Sequence, residues 1–209
     1  MSSVIQLKTS QSVLPTVQMP RRGKNKEYRQ REYLTEAEIE KLLAAARKTK
    51  NPVRDQLLVL LAFRHALRVK ELVDLRVEQF DLKAAILHVN RAKNGISGQH
   101  GLAGDELRLI RALIRENGEH SRFLFISQRG APLSIDGVQK FIERLGDAAR
   151  LPFPVHVHML RHSAGYALAG RGVDTRTLQA FMGHRSISNT VIYTAVADRR
   201  VRNIWQTGR

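Results

Sequence analysis

Seven consecutive apolar residues, Leu57-Leu58-Val59-Leu60-Leu61-Ala62-Phe63, limit the folds open to this chain more than any other feature. A helix that is apolar nearly all round must be covered on every side, so this segment is central. It is far shorter than the roughly 20 apolar residues that cross a membrane, and Arg64 ends it. Asn51-Pro52 stands just before it, with proline suited to the first helical turn.

The covering elements can be read from the remaining pattern. Thr35 with Glu38 predicts a capping box ahead of the apolar face of Ile39, Leu42, Leu43 and Ala45. A short helix is expected over 68–72. Leu107, Ile110, Leu113 and Ile114 fall on one helical face. Three further helices are expected near 134–148, 161–171 and 174–182, with Gly172 between the last two and Asp174 placed to cap the second. A short helix carries 188–194. Residues 85–89 alternate as a strand, and Asn94-Gly95 predicts a type I′ hairpin to a second strand. Residues 123–126 read as a short strand or extended segment. The expected fold class is therefore mainly α with a small antiparallel β-sheet, and no internal repeat is visible.

Charge narrows the partner. Among 209 residues, 35 Lys and Arg face 19 Asp and Glu, a net charge of +16 with a pI near 11.0. That balance predicts a polyanionic partner, nucleic acid ahead of an anionic membrane, with a merely cationic protein as the plain alternative. At 43% hydrophobic and 26% charged residues, the composition is an ordinary globular mixture and argues against wholesale disorder. With no cysteine, disulfides, thiolate zinc sites and cysteine nucleophiles are excluded too. Residues 1–14 show no signal-peptide core, which predicts a cytoplasmic, nucleoid-associated protein without a membrane partner.

Residues 1–33 are polar and end in a basic run. Arg21, Arg22, Lys24, Lys26, Arg29 and Arg31 make six of the eleven residues 21–31 basic. A flexible DNA-binding arm is the reading, with a plain disordered leader as its alternative.

The chemistry concentrates later in the chain. His158 and His162 are four apart, a metal-ligand spacing, but Met159 stands where a zinc hydrolase helix carries Glu, so no metal or cofactor is expected. Phosphodiester cleavage needs different parts. Rigid bidentate cations must meet charge on the nonbridging oxygens, a nucleophile must attack, a base must take its proton, and an acid must protonate the leaving oxygen. Arg68 lies in Leu67-Arg68-Val69-Lys70-Glu71-Leu72, Lys93 in Arg91-Ala92-Lys93-Asn94-Gly95, and His158 and Arg161 are three apart. His184 closes Met182-Gly183-His184, and Tyr193 follows nine residues later.

Taken in order, Arg, Lys, His-x-x-Arg, His, Tyr resembles the catalytic signature of tyrosine recombinases, the phage-integrase family. The resemblance covers roughly 34–196. The segments 158–168 and 182–194 look most like the small recombinases that invert the promoter element of fimbrial operons, which also lack a separate N-terminal helical domain. One departure is Ala66, where the family usually has glycine. The resemblance implies the recombinase catalytic-domain fold and a role for each residue. Tyr193 is the nucleophile, forming a 3′-phosphotyrosine without ATP or metal. Arg68 and Arg161 clamp the phosphate, with Glu71 orienting these cations. His158 accepts the tyrosine proton or holds its hydrogen bond, and His184 donates to a phosphate oxygen. Lys93, on a mobile hairpin tip, is the acid for the 5′-oxygen, with Lys70 and Lys83 near it in sequence. No reactive role is expected of His156 or His162.

Each assignment has a plainer counterpart: a packed tyrosine, salt-bridged arginines, a satisfied core histidine, a solvated turn lysine. The expected organisation is an arm at 1–33, a catalytic domain at 34–196 and a tail at 197–209. Val201, Ile204 and Trp205 lie among Arg199, Arg200 and Arg202, so the tail either docks on a neighbouring protomer or folds back on its own body. The resemblance implies a site-specific recombinase acting as a homo-tetramer on double-stranded DNA with inverted repeats, helped by DNA-bending proteins. It would invert an element or serve integration and excision. A catalytically silent DNA-binding protein and a monomeric type IB topoisomerase-like enzyme are the competitors.

Overall fold

Helix α1 (Glu36–Ala46) opens on the expected capping box: the Glu38 amide donates to Thr35 Oγ1 at 3.3 Å, and the Thr35 amide to the Glu38 carboxylate at 2.8 Å. The computed structural model describes residues 31–91, 95–118 and 121–194. Helix α2 (Pro52–Arg64) carries the apolar run, and Leu57 to Ala62 are all buried. It is covered as its pattern requires. Helices α1, α3 (Val69–Val73), α4 (Gly104–Asn117) and α6 (Val157–Gly170) pack around it. Helix α5 (Ile135–Ala148) lies against α1 and α3. Its Ser134 cap accepts from the Gly137 amide at 3.0 Å. Helices α7 (Thr175–Met182) and α8 (Ser188–Thr194) close the body beside α6. Asp174 caps α7, accepting from the amides of Arg176 and Thr177.

The antiparallel sheet has the order β1 (Phe80–Asp81), β2 (Ile86–Val89), β3 (Gly98–Gly101). Its register differs from a two-residue Asn94-Gly95 turn, which would set Val89 opposite His100. Instead Val89 pairs with Gly98 and Leu87 with His100, leaving 90–97 between the paired ends. Tertiary contact accounts for this register. The buried His100 ring stacks on Phe181, centroids 4.1 Å apart, and its Nδ1 lies 3.3 Å from His65 Nδ1. Residues 92–94 lie outside the described residues. Residues 123–126 form only isolated bridges, Arg76 with Phe123 and Ile126 with Pro132.

Helix α6 begins four residues before the start expected from the sequence, at Val157 rather than 161. His156 takes the cap position with extended backbone, φ −135° and ψ 157°. The extra turn brings His158, Arg161 and His162 onto one helical face.

Two apolar clusters result. The larger draws on helices α1 to α5, the sheet and the start of α6. The smaller consists of Ala66, Ala164, Ala169, Leu178, Met182 and Tyr193. Among the described residues, no helix is long and apolar enough to cross a membrane.

Candidate active site

The site forms where the end of α2, the start of α3, helix α6 and the turn after α7 meet. Arg68 occupies the cap position of α3, and Glu71 is its third residue. That spacing lets one carboxylate serve both ends of Arg68. It accepts from the Arg68 amide at 2.9 Å and from Nη1 at 2.7 Å. The oxygen that accepts from the Arg68 amide, Oε2, also accepts from Arg91 Nη1 at 3.0 Å. Arg68 stays half-buried, while Glu71 and Arg91 are buried.

Arg161 is 2% exposed. Its Nη1 donates to the carbonyl of Ala66 and its Nη2 to the carbonyl of Met182 at 2.7 Å. Burial lowers its pKa to about 9, with Arg68 and Arg91 adding to the effect, so it remains charged at neutral pH. The turn that offers the Ala66 carbonyl has φ +50° at Ala66, the left-handed region that favours glycine. This accounts for the family glycine at that position.

Gly183 ends α7 at φ +66°, and a Cβ there would meet Arg91 Cγ at 2.6 Å. Only glycine satisfies both demands, which explains the middle residue of Met182-Gly183-His184. His184 follows, buried, with Nδ1 2.9 Å from Thr190 Oγ1. Burial lowers its pKa to about 4, with Arg161, Arg68 and Arg91 adding to the effect, so it is neutral at pH 7.

Tyr193 is 2% exposed. Its ring lies against Gly165, where a Cβ would come within 2.7 Å of it, and meets Tyr166 edge to face at 5.1 Å. The Tyr193 hydroxyl lies 2.9 Å from His162 Nδ1. Burial pushes the phenol pKa up to about 12, partly offset by Arg161. Burial also lowers His162 to about 4, with His158 and Arg161 adding to it. A neutral imidazole thus accepts from a protonated phenol.

The structure brings Arg68, Glu71, Arg161, His184 and Tyr193 into one connected cluster. His158 stands at its edge, its ring exposed and edge-on to His162 at 4.5 Å. Its pKa is lowered by partial desolvation first, then by Arg161 and Arg68. Among the described residues no hydrogen bond joins His158 to Tyr193; the contact belongs to His162, for which no reactive role was expected. Its spacing from His158 was visible but suggested only a metal. Arg91 also lacked a signal, because a lone arginine beside a strand reads as solvated.

Not every expected site residue belongs to this cluster or to the described residues. Lys93 lies outside the described residues, as do Arg21, Arg22, Lys24, Lys26 and Arg29 and the tail 197–209. Arg31 is described and is engaged by the body: its Nη2 donates to Glu38 at 2.6 Å, and its guanidinium lies over Tyr33 and Phe153. The Tyr33 ring packs on Tyr166 at a tilt of 35°, centroids 4.1 Å apart. Residues 31–33, placed in the arm by composition, are therefore packed.

Comparison with known proteins shows the family. The model of the phage integrase family matches residues 32–200. The chain is 40% identical over 191 residues to the type 1 fimbriae regulatory protein FimB of Escherichia coli strain K12, covering 89% of this chain and 96% of that one. It is 38% identical over 181 residues to the type 1 fimbriae regulatory protein FimE of the same strain, covering 84% and 91%. The crystal structure of XerA recombinase superposes with a TM-score of 0.72 at 26% identity, over 85% of this chain and 65% of that one. The chain belongs to the phage integrase family, the tyrosine recombinases.

Proposed function

We propose that this chain is a site-specific DNA recombinase whose nucleophile is Tyr193. The observation that carries the reading is the placement of the Tyr193 hydroxyl in the cluster that holds Arg68, Arg161 and His184. The Tyr193 oxygen attacks phosphorus, the 5′-oxygen leaves, and a 3′-phosphotyrosine keeps the bond energy for rejoining. Arg68 and Arg161 take up charge on the nonbridging oxygens. With Thr190 donating to His184 Nδ1, the proton of that imidazole stays on Nε2, which can donate to a phosphate oxygen. His162 holds the tyrosine hydroxyl in the free protein, and His158 beside it receives the proton, as the resemblance implies. Lys93 gives a proton to the 5′-oxygen.

The substrate is double-stranded DNA carrying inverted repeats, acted on in the cytoplasm by a tetramer that exchanges strands in pairs. Inversion of a DNA element is the favoured reaction, and similarity to two fimbrial regulatory proteins over nearly their whole length supports it. The basic residues 21–29 add affinity for phosphates without reading sequence, and DNA-bending proteins compensate for weak binding by one protomer. The tail 197–209 docks on the neighbouring protomer through Val201, Ile204 and Trp205, which makes cutting depend on assembly.

The test is a nicked DNA substrate that traps the covalent intermediate, offered with one or two sites. The expected result is a denaturation-resistant adduct, formed by the wild type, absent from Tyr193→Phe, and increased by the second site. An adduct that persists in Tyr193→Phe would remove Tyr193 from the role. Relaxation of supercoils without a specific site would point to a monomeric topoisomerase instead.

A further inference from the structure

Among the described residues, Arg91 is the most buried Lys or Arg outside the expected catalytic set: its side chain is 1% exposed. A buried guanidinium survives only when its donors are satisfied. Arg91 satisfies them from three separate segments. Nη1 donates to Glu71 at 3.0 Å and to the Ala66 carbonyl at 3.1 Å. Nη2 donates to the carbonyls of His65 at 3.2 Å and Phe181 at 2.5 Å.

These acceptors belong to the groups that aim the phosphate-binding arginines. Ala66 offers its one carbonyl to both Arg91 and Arg161. Phe181 adjoins Met182, whose carbonyl takes the other end of Arg161. Glu71 is shared with Arg68. Arg91 and Arg161 thus brace the same gap, between the turn after α2 and the end of α7. The glycine at 183 leaves room for the Arg91 side chain.

We infer that Arg91 is a positioning residue for the phosphate clamp. It holds Arg68 through Glu71, and Arg161 through the Ala66 carbonyl and the end of α7, without itself touching DNA. The inference rests on the reading of Arg68 and Arg161 as the clamp. Lysine cannot replace it, since one ammonium lacks the planar fork that reaches acceptors on opposite sides.

The experiment compares wild type with Arg91→Lys and Arg91→Gln on nicked DNA of three kinds. One has a normal phosphate, one a sulfur at the 5′-bridging position, and one a methyl in place of a nonbridging oxygen. Both variants should bind normal DNA within about threefold of wild type and cleave it roughly a hundredfold slower, like an enzyme that has lost one transition-state donor. Sulfur should not rescue them, because leaving-group protonation is not what they lack. The methyl substrate should rescue them, because the charge that the clamp must meet is gone. Wild-type cleavage by either folded variant, or an equal defect on all three substrates, would overturn the inference. So would the loss of a cooperative melting transition in both variants, which would make Arg91 a folding residue. If wild type itself forms no adduct, the recombinase reading fails instead.

Discussion

The two apolar clusters of this protein are built on different terms. In the larger, aliphatic side chains such as Leu42, Leu57, Leu61, Leu72, Leu87 and Ile110 are fully buried and drawn from periodic helices and the sheet. In the smaller, the buried members are three alanines, Leu178, Met182 and the phenol of Tyr193, with the partly buried Tyr166 and Phe181 among those packed against them. Buried Glu71, Arg91, Arg161 and His184 lie beside it. Stability comes mainly from aliphatic burial, while reactivity needs a phenol and cations held away from water. On the proposed function the chain separates the two tasks, and substitutions in the two regions should have different consequences.

The sharpest contrast is expected from Tyr193→Phe. The ring against Gly165 and Tyr166 stays, and only the hydroxyl bond to His162 is lost. Adduct formation should vanish altogether, while stability drops by about 1 kcal/mol at most. Melting of the variant several kcal/mol below wild type would show that the smaller cluster depends on that bond for stability.

Leu61→Ala probes the other side. Leu61 is fully buried within the helix that four others cover. Its truncation should cost about 2–5 kcal/mol, read from denaturant unfolding. Leu178→Ala, equally buried but in the smaller cluster, should cost less, because the outer side chains of that cluster, Phe63, Leu168, Val173 and Phe181, are only partly buried and can shift toward the gap. Equal losses would erase the distinction between the clusters.

A third difference concerns pH. Burial holds His100 at a pKa of about 3 and His162 and His184 at about 4, all below the ordinary value of 6.5. The fold therefore favours their neutral forms. As pH falls below about 6.5, the unfolded chain takes up protons that the folded chain refuses, so this stability is present above 6.5 and declines toward 4. Amide exchange should show α6 to α8 losing protection on acidification before α2 does. A melting midpoint that stays flat from pH 7 to pH 4 would mean that these rings titrate as they do in water.

The same division explains what could be read beforehand. Helix α2 was legible because seven apolar residues in a row leave no other arrangement, and α1 and α7 because Thr35, Glu38 and Asp174 are local signals. Strand β1 was not, since two residues show no period. The hairpin register was misread because the buried His100 outweighs the local turn preference of Asn94-Gly95. The order of the candidate catalytic residues was visible as short boxes along the chain. The contacts of His162 and Arg91 were not, because they depend on segments far apart in sequence: 31 residues separate His162 from Tyr193, and 90 separate Arg91 from Phe181.

The smallest expected effect concerns the joint between the two regions, Ala66→Gly. Ala66 is fully buried in the smaller cluster, and its carbonyl serves both Arg161 and Arg91. Its φ of +50° costs an L-residue about 1–2 kcal/mol, which glycine would avoid. Against that gain stand about 0.5–1 kcal/mol for the added freedom of the unfolded chain and about 0.8 kcal/mol for the lost methyl burial. The terms nearly cancel, so stability should stay within about 1 kcal/mol of wild type in either direction. The two arginines hold the carbonyl whichever residue bears it, so adduct formation should stay within about twofold of wild type. A tenfold loss of cleavage with unchanged melting would show that the alanine methyl itself aims Arg161. The smaller cluster would then be part of the catalytic machinery as well as its support.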